Sequence, residues 1–98
     1  MFETLNEIME LSRENGYKFF SKAKKGYTTV HPTLYGGKYF ITESTHRNRR
    51  VYSIYCALKD GACDIVNGQV FGSFSQATRY MSMFLVDEDE QSEEVSYE

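Results

Sequence analysis

The sequence predicts a single α+β domain: an antiparallel meander of four to six strands, with one helix before it and one after it, both packed on one face of the sheet. Three observations predict this. Thr4-x-x-Glu7 opens an apolar stripe at three-to-four spacing, the signature of a capped amphipathic helix. Between 38 and 71 the chain is rich in β-branched and aromatic residues, and the turn dipeptides Asp60-Gly61 and Asn67-Gly68 interrupt it. A second stripe follows Ser75, with Ala77, Tyr80, Met81 and Phe84 at i, i+3, i+4 and i+7. The 98 residues suffice for one domain, expected over 1–86, with an acidic disordered tail over 87–98.

Taken in order, residues 4–15 read as a helix whose buried stripe is Leu5, Ile8, Met9 and Leu11, stopped by Asn15-Gly16. Residues 17–24 read as a strand, Lys24-Lys25-Gly26 as a turn and 27–31 as a second strand. Pro32 to Gly37 reads as a loop. Residues 38–44 and 51–58 read as strands joined by the six-residue loop Thr45–Arg50. Asp60-Gly61 and Asn67-Gly68 then extend the hairpins, so that 38–71 forms a four-stranded meander. Ser75 is expected to cap a helix over 76–86.

The turns predict a register. A symmetric loop pairs Ser44 with Val51 and Ile41 with Ile54; two-residue turns pair Leu58 with Cys63 and Ile65 with Val70. One face then collects Tyr39, Ile41, Tyr52, Ile54, Cys56, Leu58, Cys63, Ile65 and Val70, and is the expected core. The other face collects Phe40, Val51, Tyr55, Val66 and Phe71. With both helices on the core face, this second face is an exposed apolar patch, and such a patch marks an interface. The competing reading is that the N-terminal strands, the C-terminal helix or the tail fold over it and make it a second core.

Charge is unevenly distributed. Residues 16–60 hold nine Lys or Arg against Glu43 and Asp60, whereas 61–98 hold Arg79 against eight acids. Lys18, Lys22, Lys24 and Lys25 lie near the first strand; His46, Arg47, Arg49 and Arg50 lie in the hairpin loop. Cations interleaved with Tyr and Phe on a sheet suit single-stranded nucleic acid, whose phosphates meet the cations and whose bases stack on rings.

Catalytic signals are sparse. No metal-ligand spacing, nucleophile motif or phosphate-binding glycine loop occurs, so neither enzyme activity nor a cofactor is expected. Cys56 and Cys63 fall on the expected core face as inert reduced thiols. Neither a secretory leader nor a membrane span is apparent, so a cytoplasmic protein is expected. The leading expectation is a non-catalytic protein-binding module that self-associates as a homodimer or occupies a host factor. Phe40, Tyr55, Val66 and Phe71 would be its anchors and Arg47, Arg49 and Arg50 its rim. Small size, a charged tail and no familiar motif fit an inhibitory accessory protein of a phage or mobile element. The alternative is nucleic-acid binding through Lys18, Lys22, Lys24, Lys25, His46 and the arginines, screened by the acidic tail.

Overall fold

The computed structural model describes residues 1–20 and 28–86. Lys22, Lys24, Lys25, the second half of the strand expected over 17–24, the turn expected at 24–26, the first residue of the strand expected over 27–31 and the acidic tail lie outside them. The elements run α1 (Leu5–Glu14), β1 (Thr28–Val30), β2 (Tyr39–His46), β3 (Arg49–Ala57), β4 (Cys63–Ile65) and α2 (Phe74–Phe84). The four strands form one antiparallel sheet in the order β1-β2-β3-β4. This is the predicted α+β architecture, with a helix at each end.

α1 starts where the sequence places it. The Glu7 amide donates to Thr4 Oγ1 at 3.3 Å, and Glu7 Oε1 accepts from the Thr4 amide at 3.3 Å. Two amides with no partner inside the helix are thereby satisfied. Gly16, at φ +82, turns the chain out of the helix. Residues 17–20 form no strand, which corrects the first half of the strand expected over 17–24.

β2 and β3 pair in the predicted register, with Ile41 opposite Ile54 and Ser44 opposite Val51. Their connection is tighter than expected. Pairing continues to His46 and Arg49, leaving only Arg47 and Asn48 as the turn, at φ +51 and +65. A loop that shrinks symmetrically leaves the register unchanged.

β3 and β4 are shifted by one residue from the expected register: Ala57, not Leu58, lies opposite Cys63. The Leu58 amide donates to Ala62 O at 2.7 Å, and the Gly61 amide donates to Leu58 O at 3.0 Å. The loop therefore has three residues, Lys59, Asp60 and Gly61, with Gly61 at φ +91. A one-residue shift moves side chains to the opposite face. Cys63 accordingly sits on the Phe40 side while Cys56 stays on the Ile41 side, and both thiols are free.

The expected last strand of the meander is absent. Asn67 and Gly68 turn the chain at φ +56 and +61, but Ile65 does not pair with Val70. The chain steps along the β3 edge instead. Val66 donates to Ile54 O, and Phe71 exchanges backbone bonds with Tyr52 at 2.7 and 2.9 Å. Tyr55 is already paired with Ile65, so the free part of the β3 edge lies nearer the hairpin tip. The fourth strand of the sheet is β1, on the far edge of β2.

The helices cover opposite faces, which corrects the expectation that both pack on one. α2 buries Ala77 and Met81 against Ile41 and Ile54, joined by Tyr39, Tyr52, Val66 and Phe71. α1 buries Ile8 against Phe40 and Ala57, joined by Phe19, Phe20, Val30 and Tyr55. Phe40 and Ile41 are neighbours in a strand and so point in opposite directions. The molecule therefore has three layers: α1, sheet, α2. α2 also begins earlier than expected: Ser73, not Ser75, is the cap and accepts from the Gln76 amide at 3.1 Å.

Candidate functional site

The four predicted apolar anchors do not share a surface. Phe40 is 0 % exposed, enclosed by Phe19 and Phe20, whose ring centroids both stand 5.7 Å away. Tyr55 lies beside it, 4.9 Å from Phe20. Val66 and Phe71 pack on the α2 side. The sheet face expected to be open is a second core, covered by α1 and residues 17–20. Val51 stays half-buried near the hairpin tip, outside both apolar clusters of the described residues.

Of the predicted cations, those of the hairpin come together, Lys18 lies apart from them beside Tyr17 and Phe19, and Lys22, Lys24 and Lys25 fall outside the described residues. His46, Arg47, Asn48, Arg49 and Arg50 are all exposed around the β2–β3 turn. Arg47 and Arg49 have no ion pair among the described residues, while Arg50 Nε lies 3.3 Å from Glu43 Oε2 and its side chain remains 73 % exposed. Alternation sets Arg50 on the α2 face and Arg49 on the α1 face, so the tip presents charge to both sides. Lys18 is exposed on the segment after α1.

Sequence reasoning missed the residues beside this tip. Glu43 bridges two groups: its second carboxylate oxygen lies 3.1 Å from His31 Nε2. The His31 ring in turn lies 4.8 Å from the Phe74 ring and 6.2 Å from the Tyr52 ring. Phe74 is the first residue of α2 and 37 % exposed. α2 thus starts over Tyr52, and the sheet projects beyond it toward the tip. Thr29, Thr45 and Arg50 are exposed on that projection. Glu43 carried a signal: one of only two acids in the basic middle, in step with Tyr39 and Ile41 on an apolar face, it calls for a partner. His31 and Phe74 gave none, because they meet only across the layers.

On the α1 side, a cleft of about 390 Å³ opens between Ser12, Tyr17, Lys18, Phe20, Tyr55 and Cys63. Burial pushes the Cys63 thiol up to about 11, with the nearby Cys56, Asp64 and Asp60 adding to the effect. Burial also raises the Cys56 thiol against the opposing pull of Lys38. Neither thiol is an activated nucleophile at neutral pH. Among the described residues, no group of three or more His, Cys, Asp and Glu side chains could hold a metal ion, and no helix is long and apolar enough to cross a membrane.

No protein-family model, curated protein or solved structure matches the chain. The chemistry of the site is therefore the guide to function.

Proposed function

We propose that the domain binds nucleic acid through its phosphodiester backbone, with the β2–β3 hairpin tip as the grip and no covalent chemistry. The observation that carries this reading is the tip itself, where Arg47 on the two-residue turn and His46, Arg49 and Arg50 beside it are exposed together. Guanidinium groups match phosphate oxygens in a planar fork, and each contact releases condensed counterions. The sequence adds support. All eleven Lys and Arg precede Asp87, whereas half of the fourteen acids follow Val86. Residues 1–86 are therefore cationic even though the net charge of the chain is −3.

Fluorescence anisotropy with a labelled oligonucleotide tests this across a salt series. Binding should weaken linearly with the logarithm of salt concentration, with a slope of about one per phosphate contact. The Arg47→Ala, Arg49→Ala double variant should lower that slope by roughly two while leaving the fold intact, since both side chains are exposed. A protein that binds no oligonucleotide at low salt is not a nucleic-acid-binding module.

One specific surface favours a second reading, docking of a protein partner or a second copy of the chain. Phe71, Tyr80 and Phe84 form a ladder of rings at 5.3 and 4.8 Å along one flank of α2. Phe84 is 65 % exposed and Val70, beside Phe71, 60 %. This patch preserves Phe71 from the predicted anchor set, on a different face. Concentration-dependent sedimentation that Phe84→Ser abolishes would support it, and a monomer at all concentrations would exclude self-association there.

A further inference from the structure

We propose that the nucleic acid taken by this site is single-stranded, with an unpaired base stacking on the aromatic shelf of His31 and Phe74 beside Arg50. The inference rests on the reading of the hairpin tip as the phosphate grip. Three observations carry it.

The shelf is partly open. The His31 side chain is 30 % exposed and Phe74 37 %, and their centroids lie 4.8 Å apart with the rings tilted by 46°. Tyr52 backs the pair, 6.2 Å from each ring. Rings exposed to this extent leave part of their surface to a further ring.

The shelf lies next to fixed positive charge. Glu43 holds His31 Nε2 at 3.1 Å with one oxygen and Arg50 Nε at 3.3 Å with the other. A single carboxylate thus fixes the shelf and the nearest arginine relative to each other. Arg50 meets Glu43 at Nε while its side chain stays 73 % exposed, so the guanidinium remains accessible to a phosphate. Glu43 is a positioning residue here: it contributes no attraction for a polyanion and orients one group that does, Arg50, and one that stacks, His31.

The arrangement also discriminates. A base paired within a duplex has both faces stacked and cannot reach a protein ring, whereas an unpaired base exposes its face. The tip arginines would serve either form through the backbone; the shelf serves only the single strand.

The test uses the full chain, fluorescein-labelled twelve-nucleotide oligothymidylate and oligouridylate, and a duplex of the same length, at low salt. The single strands should bind roughly tenfold or more tightly than the duplex. Phe74→Ala should weaken single-strand binding about tenfold, with an unchanged salt slope and unchanged duplex binding, because it removes stacking and no phosphate contact. Phe74→Tyr should restore binding and Phe74→Leu should not. That pair separates loss of the ring from loss of packing, with circular dichroism confirming the fold of each variant. Equal affinity for duplex and single strand, or full binding by Phe74→Leu, overturns the inference while leaving the grip intact. Absence of binding to all three probes overturns both.

Discussion

Gly61 sits at a point where two constraints meet. Its φ of +91 lies in the left-handed region, and a Cβ there would stand 2.6 Å from the Ser12 amide nitrogen and 2.9 Å from the Leu11 carbonyl carbon. Both neighbours are backbone and cannot swing aside. Gly61→Ala should therefore combine left-handed strain with overpacking and destabilise by roughly 2–4 kcal/mol in urea unfolding. Gly68, at φ +61 with nothing within 4 Å, provides the comparison: Gly68→Ala should cost about 1 kcal/mol, the conformational part alone. Asp60-Gly61 announces a turn in the sequence but does not give its length. The third loop residue is set by the approach of α1 from far along the chain, which dipeptide chemistry does not contain. The arginines of the candidate site were legible because charge needs no fold to be noticed. His31 and Phe74 were not, since neither stands out until α2 is laid on the sheet.

The same turn is where α1 is fastened to the sheet. Asn15 Nδ2 donates to Asp60 O at 2.7 Å, the Tyr17 hydroxyl donates to Asp60 Oδ2 at 2.7 Å, and the Ala62 amide donates to Asp60 Oδ1 at 3.1 Å. The Tyr17 hydroxyl, then the Ala62 amide, hold the Asp60 carboxyl below its ordinary value, and the same carboxylate raises the Tyr17 phenol above its own. A depressed carboxyl stabilises the fold above the carboxylate's unfolded range, and that contribution is lost as pH falls through its folded value. A raised phenol stabilises below the phenol's unfolded range and is lost as pH rises through its folded value. The α1 attachment should thus hold from mildly acidic to mildly alkaline pH and weaken on both sides. Tyr17→Phe, followed by thermal unfolding from pH 3 to 11, should flatten both limbs. Element starts were readable where the chemistry is local, as in the Thr4–Glu7 box. The α2 start carries the same kind of signal, Ser73-x-x-Gln76, two residues before Ser75. In the fold, Gln76 Oε1 accepts from the Gly72 amide at 3.0 Å, one residue before the cap.

At the scale of the whole molecule, the two central strands and their register followed from the alternation of 38–58, because adjacent antiparallel strands constrain each other through the face they share. The layering did not follow. An apolar second face has two remedies, a partner from outside or an element of the same chain, and the amphipathic pattern is identical in both. Here α1 supplies the cover and Phe40 becomes the centre of a core instead of an anchor. Because α1 and α2 close opposite faces, the molecule has two apolar clusters divided by a sheet one residue thick. Such clusters need not dissolve together. Both clusters draw on the two central strands, but α2 lies against β3 more extensively than α1 lies against any strand. Backbone amides of α1 should therefore exchange with deuterium through a partial opening that leaves the α2 side closed, at a protection free energy below that of Ile41 and Ile54. In that open form Phe40 is uncovered, and the sheet face hidden in the native state becomes briefly accessible to solvent.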